Sequence, residues 1–144
     1  MENFGSLLGN VLKNYSSVPQ TPNDVANYAH NDVYNHYQQF AQQAPPQQVY
    51  DAHQQAYQQF PQNQQGSIFS SVMGALSQNG VNPQQIGVQG NAPTPQNYAR
   101  ASQYISQRPD LLQSVFGQGG ALGSPLAKMA LAGALAVAAS KMTH

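Results

Sequence analysis

A small group of acidic and histidine side chains in the first half of the chain has the chemistry to bind a metal ion. Its members are His30, Asp32, His36, Asp51 and His53. Asp32 and His36 are four residues apart, so a helix places them on one face, and His53 would join them from the following helix. The spacing lacks the two His residues with an intervening Glu that mark helical zinc sites. We predict no resident metal and keep Asp32, His36 and His53 as candidate ligands.

Groups for other kinds of catalysis are scarce. No Ser lies in the glycine-flanked turn that exposes a nucleophile, and the lack of Cys removes thiol chemistry. The Gly-rich run GQGGALGS follows no predicted strand and matches neither a phosphate-binding loop nor a dinucleotide fingerprint. A catalytic carboxylate pair would have to come from Glu2, Asp24, Asp32, Asp51 and Asp110. We predict that the protein is not an enzyme and uses no cofactor.

The composition restricts the partners. The chain has 144 residues, enough for one domain, and only 7% are charged, with five basic residues balancing five acidic ones. Nucleic acid is held by clustered Lys and Arg, whereas here the basic residues are scattered, so we predict no nucleic-acid partner. A net charge of zero leaves little repulsion between molecules and favours self-association. The N-terminal residues do not resemble a secretory signal, so the cytoplasm is the default location.

Polar caps followed by Pro predict where the helices begin. Such pairs occur at Thr21-Pro22, Asn82-Pro83, Thr94-Pro95 and Ser124-Pro125. No strand-like alternation extends beyond four residues, so we predict a mostly α fold, either a small irregular helical bundle or an extended helical assembly subunit with Pro/Gly-rich connectors. The predicted segments are an amphipathic helix at 1–15, a Gln/Tyr-rich helical hairpin at 22–60, short apolar-striped helices at 67–116, a Gly-rich hinge at 117–123 and an Ala-rich helix at 124–144.

Apolar periodicity refines the hairpin. One helix is predicted from Pro22 to Gln43 and a second from Pro46 to Phe60, and residues 61–66 are predicted to be a polar connector. The predicted core stripe of the first helix includes Val25, Ala29, Val33, Tyr37 and Phe40. Tyr98 lies on a later stripe, whereas Tyr28, Tyr34, Tyr50 and Tyr57 lie off the predicted stripes.

The run SPLAKMALAGALAVAAS, residues 124–140, is apolar on nearly all sides of a helix. Such a helix is buried either in protein or in lipid. Its charge-free part, residues 129–140, would be about 18 Å long, which is shorter than the roughly 30 Å of a bilayer's hydrocarbon core. Lys128 and Lys141 at its ends could extend toward the membrane surfaces. Two hypotheses stay open, a helix buried against other helices and a membrane-inserted anchor.

Four sequence features occur in a fixed order: LLGNVL near the start, YNHYQQFAQQAPPQQVYDA, IFSSVMGAL, and LAKMALAGALAVAASKM near the end. In this order the chain resembles a group of small uncharacterised bacterial proteins. The resemblance implies a bacterial origin and an arrangement of N-terminal helix, hairpin broken at Ala-Pro, Gly-rich interval and Ala-rich tail. It implies no activity.

We therefore expect a non-enzymatic structural protein that assembles with itself or with another protein, as an oligomer, filament or shell subunit, or scaffold. One alternative is a membrane-associated protein anchored by the C-terminal helix, and a second is a metal-binding module. The apolar positions expected to make assembly contacts are Phe4, Leu7, Val11, Met129, Leu131, Leu135 and Val137.

Overall fold

The computed structural model describes residues 15, 18–90, 92–117, 120 and 124–142. In this part of the chain there are six α-helices and two 3₁₀ helices and no strand, which confirms the predicted mostly α fold as a small helical bundle. The predicted helix at 1–15, the hinge at 117–123 and the last two residues lie wholly or mainly outside the described residues. The elements are η1 (Pro22–Val25), α1 (His30–Gln43), α2 (Pro46–Gln59), α3 (Gln62–Gln78), η2 (Pro83–Ile86), α4 (Pro95–Ser106), α5 (Pro109–Phe116) and α6 (Ser124–Met142).

Proline and side-chain caps fix several helix starts, as the sequence predicts. Helices α2, α4 and α5 each begin at a proline, whose missing N–H needs no partner in the first turn. The Thr94 hydroxyl caps α4 by accepting a hydrogen bond from the Asn97 N–H at 3.1 Å. The Asn82 side chain caps η2 by accepting from the Gln84 N–H at 3.0 Å.

The helix predicted from Pro22 to Gln43 is interrupted, so that prediction is wrong in its first third. Element η1 ends at Val25 and α1 begins only at His30. A long-range hydrogen bond is made at this interruption: the Lys128 ammonium donates to the Tyr28 carbonyl at 2.9 Å. Ala29, predicted to face the core, is exposed at this break.

The polar connector predicted at 61–66 is also wrong, because α3 begins at Gln62. Only Phe60 and Pro61 separate it from α2. The Gln65 amide donates to the carbonyls of Tyr57 and Phe60 at 2.9 and 3.0 Å, and the Tyr57 hydroxyl donates to the Gln65 carbonyl at 3.0 Å. These contacts cross the corner and explain why a polar segment is helical there.

Helix α6 is enclosed by the rest of the fold. Every residue from Ala127 to Ala139 is buried, and the helix packs against η1, α1, α2 and α5. The structure therefore buries this helix, which is apolar on nearly all sides, within the protein. Removing Leu131 and Leu135 from water stabilises the fold by about 1.5–3 kcal/mol each. The two arms of the predicted hairpin, α1 and α2, both pack on α6.

Gly133 allows α6 to lie close to the end of α2. A methyl group on its α-carbon would lie 2.9 Å from Cζ of Phe60 and 3.4 Å from the Ala56 Cβ. Atoms this close overlap, so any side chain at 133 must displace the Phe60 ring or separate the helices. The contact between α2 and α6 therefore depends on glycine at this position.

Candidate functional site

Four aromatic side chains form a polar cluster in the core, the buried Tyr–His cluster. Tyr37 of α1, His53 and Tyr57 of α2 and Tyr98 of α4 are each fully buried. The Tyr37 hydroxyl and the His53 Nε2 are 2.5 Å apart. The His53 ring meets the Tyr98 ring edge-on at 5.8 Å, and Tyr98 stacks on Tyr57 with centroids 4.6 Å apart. The cluster links three helices through one imidazole.

Burial keeps the cluster uncharged. Desolvation lowers the pKa of His53 from 6.5 to about 3, because the charged imidazolium would lose its water. The same cause raises the pKa of Tyr57 to about 12 and the pKa of Tyr37 well above its ordinary value. With both groups neutral, the Tyr37 hydroxyl and the His53 Nε2 share one proton-donating and one proton-accepting role in this hydrogen bond. In the part of the chain that the structure describes, the other ring nitrogen of His53, Nδ1, has no hydrogen-bond partner.

The buried Tyr–His cluster is not accessible to substrates. A general base must come within hydrogen-bond reach of the proton that it removes, yet His53, Tyr37 and Tyr98 have no exposed surface. The cluster contains groups that can transfer protons, but they are buried where a substrate does not reach them. Its evident role is to join α1, α2 and α4.

The three candidate metal ligands are not brought together. Asp32 is exposed on α1, half-buried His36 shares a hydrogen bond of 2.9 Å with the Tyr15 hydroxyl, and His53 lies in the core against Tyr37. Asp51 accepts from the Gln47 amide, and buried His30 bonds the Phe116 carbonyl. Among the described residues no three His, Cys, Asp or Glu side chains are placed to share a metal ion.

The predicted assembly contacts divide into two groups. Phe4, Leu7 and Val11 lie outside the described residues. The α6 positions are buried within the chain's own fold, so they hold this molecule together: Met129, Leu131, Leu135 and Val137. These four side chains are therefore not exposed to another molecule.

One open pocket is built around Arg100. The Arg100 pocket has a volume of about 420 Å³ and is lined by Tyr50, Gly87, Gln89, Ala92, Thr94, Gln96, Asn97 and Arg100. The Arg100 guanidinium lies over the Tyr50 ring, 5.2 Å from its centroid. On the other side, Gly87 has a φ of +98°, and a β-carbon there would come within 3.0 Å of the Arg100 Cδ. Glycine at 87 thus permits both the turn and the position of the arginine.

Asn97 fixes the opposite wall of the Arg100 pocket. Its amide donates to the carbonyls of Gln89 and Ala92 at 2.9 and 3.0 Å, and its Oδ1 accepts from the Gln89 N–H at 3.0 Å. Asn97 is only 6% exposed, so these bonds are shielded from water. The loop before α4 is therefore tied to the helix that carries Arg100.

A second concavity, the α4–α5 cleft, lies where α4 turns into α5. It has a volume of about 490 Å³ and is lined by Asn79, Val81, Tyr104, Gln107, Arg108, Pro109, Asp110 and Leu111. The Arg108 guanidinium stacks on Tyr104 at 4.6 Å from the ring centroid. Arg108 and Asp110 are both exposed, and in the part of the chain that the structure describes neither forms an ion pair.

The scattered placement of the arginines along the sequence predicts neither concavity. A signal is present for part of this arrangement: Arg100 and Tyr104 are four residues apart on α4 and so lie on one side of it, whereas Arg108 lies beyond the end of α4 at Ser106. Tyr57 was missed for a different reason. It lies off the predicted stripe, yet α2 is covered by α4 as well as by α6, so its buried arc is wider than one stripe.

Comparison with protein-family models, with curated proteins and with solved structures finds no match for this chain. The resemblance to small bacterial proteins therefore remains a prediction. Of the helices described, none combines the length and the apolar character needed to cross a bilayer.

Proposed function

We propose that the protein is a non-enzymatic structural protein that assembles with copies of itself, and that the α4–α5 cleft is the contact between copies. The observation that carries the proposal is the composition of this cleft. It combines an apolar floor of Val81, Pro109 and Leu111 with one exposed cation, Arg108, and one exposed anion, Asp110.

Such a surface is complementary to itself. In a twofold-symmetric dimer the same patch of both subunits meets, so a residue of one copy faces a different residue of the other. Arg108 of each copy can then pair with Asp110 of its partner, which gives two ion pairs around the twofold axis. A patch with only one sign of charge would repel its own copy.

The residue types also suit an interface. Arg and Tyr are enriched among the side chains that dominate binding energy, because each buries a large flat surface and still makes polar contacts. The Arg108–Tyr104 stack is already formed in the single chain, which reduces the ordering cost of association. Zero net charge removes long-range repulsion between copies.

The non-enzymatic part of the proposal is supported by where the reactive groups lie. Three of the residues whose pKa values are shifted by burial, Tyr37, His53 and Tyr98, are sealed in the core. The Arg100 pocket and the α4–α5 cleft are lined by amides, tyrosines, arginines, the Thr94 hydroxyl and the Asp110 carboxylate. Among these described residues no nucleophile is paired to a base.

A charge-swap experiment tests the contact. Arg108→Asp and Asp110→Arg each place like charges opposite one another in the symmetric dimer, so each is expected to raise the dimer dissociation constant by about tenfold or more. The double variant restores opposite charges and is expected to recover dimerisation. Sedimentation equilibrium over a concentration series follows the mass from that of one 15.5 kDa chain toward twice that value.

The control is Arg100→Asp, which makes the same charge reversal on α4 outside the cleft and is expected to leave the dissociation constant unchanged. Far-ultraviolet circular dichroism verifies that each variant keeps its helices. A wild-type protein that stays monomeric up to about 1 mM would contradict self-association. A double variant as impaired as the single ones would contradict the symmetric Arg108–Asp110 pairing.

A further inference from the structure

We propose that the Arg100 pocket binds a small, hydroxylated molecule that carries a single carboxylate. This goes beyond the self-association proposed above and uses a different part of α4. Four features of the pocket support this: its volume, Arg100 as the one charged residue among the described residues that line it, the fixed position of Arg100 and the polar groups around it.

The cation is held in a position that suits a carboxylate. Tyr50 covers one face of the guanidinium, while the edge of the group, which carries the N–H donors, does not take part in stacking. A carboxylate can therefore accept two parallel hydrogen bonds from that edge, the geometry in which Arg binds carboxylates most strongly. In the part of the chain that the structure describes, Arg100 has no ion pair that would compete.

The other lining groups suit hydroxyls. Gln89, Thr94 and Gln96 supply amide and hydroxyl groups that both donate and accept. Asn97 uses its side chain to hold the wall, so the wall is in place before a ligand arrives. The volume of about 420 Å³ lies within the range of small-molecule sites.

The charge of the pocket favours an anion with a single carboxylate. Among the described residues that line it, Arg100 alone is charged, so one carboxylate matches the charge of the site. Inorganic phosphate can also pair with the guanidinium, but it has no hydroxylated carbon chain to contact the amides and the hydroxyl of the wall, so it makes fewer hydrogen bonds. A neutral sugar would use the amides but would leave the guanidinium unpaired.

The test compares matched ligands by amide NMR of the ¹⁵N-labelled full chain. The probes are D-gluconate and D-galacturonate, which are hydroxylated monocarboxylates, with D-glucose as the neutral counterpart and inorganic phosphate as the other anion. We expect both carboxylates to shift the signals of Gln89, Gln96 and Arg100 saturably, whereas glucose and phosphate bind at least about tenfold more weakly. Failure of both carboxylates, or tighter binding of phosphate, would overturn the proposal.

Two variants and one control variant locate the site. Arg100→Gln is expected to weaken carboxylate binding by about tenfold or more, whereas Arg108→Gln, the matched change at the other arginine, leaves it unchanged. Gly87→Ala, which pushes a methyl group against the Arg100 side chain, is expected to weaken binding while circular dichroism shows the helices intact. Equal binding by wild type and Arg100→Gln would overturn the assignment. Because Arg100→Gln leaves the α4–α5 cleft unchanged, loss of ligand binding with retained dimerisation separates this proposal from the proposed function.

Discussion

Replacing Gly133 by leucine is expected to lower the free energy of unfolding by about 3 kcal/mol or more. The first carbon of the new side chain would already lie 2.9 Å from the Phe60 ring and 3.4 Å from Ala56, before the three further carbons are placed. The bulk must separate α6 from α2, which exposes part of the apolar surface that encloses α6. Urea unfolding followed by circular dichroism measures the change.

Gly74 supplies the matched control. It is also a helical glycine, but it lies on the exposed side of α3, where a β-carbon would meet nothing within 4 Å. Leucine at 74 is therefore expected to stabilise the protein by roughly 0.5–1 kcal/mol, because glycine is a poor helix former. If the two leucine variants unfold at the same urea concentration, the close packing of α2 on α6 is contradicted.

Acidification is expected to destabilise the protein through His53. The pKa of His53 is about 3 in the folded chain and about 6.5 when exposed, so the unfolded state takes up a proton more readily between these values. The contribution of neutral His53 is complete above about pH 6.5 and is lost as the pH falls toward 3. The loss amounts to about 4–5 kcal/mol when both pKa values have been passed.

The variant His53→Gln isolates this effect, because glutamine offers an oxygen to the Tyr37 hydroxyl and does not titrate. The difference in unfolding free energy between wild type and His53→Gln is expected to shrink by about 1.4 kcal/mol per pH unit between pH 6 and 4. His36→Gln, a change at the half-buried histidine of α1, controls for the substitution itself. Parallel pH curves for wild type and His53→Gln would contradict a buried neutral imidazole.

Local chemistry accounts for the parts of the fold that sequence predicts well. The caps and prolines at Asn82, Thr94 and Pro109 act within a few residues, so they set the starts of η2, α4 and α5 without help from the rest of the fold. The stripes of the short helices are confirmed for the same reason. Each needs only one buried face, as with Ile68, Val72 and Leu76 on α3.

Distant contacts account for the parts that sequence does not predict. Lys128, which could extend toward a membrane surface under the anchor hypothesis, is only 9% exposed and donates to the Tyr28 carbonyl a hundred residues earlier. Gln65 makes a polar segment helical by bonding back to α2. Neither partner can be identified from spacing along the chain.

The candidate sites also combine features that follow from local spacing with features that depend on distant contacts. Sequence places His53 on the apolar side of its helix and groups it with Asp32 and His36, but it cannot tell that the imidazole bonds Tyr37 instead. The Arg100 pocket needs Tyr50, Gly87 and Arg100, which come from three separated segments. Their approach follows from α4 packing along α2, a contact that the apolar pattern alone does not specify.

Hydrogen exchange of α6 tests most directly whether this helix is the enclosed centre of the fold. We predict that the amides of residues 128–139 exchange only when the whole chain unfolds, with protection that matches the free energy of unfolding measured in urea. The short η2 helix, which has no buried residue, serves as the fast-exchanging reference in the same experiment. Exchange of the α6 amides as fast as in η2, while α2 stays protected, would contradict a fold built around α6.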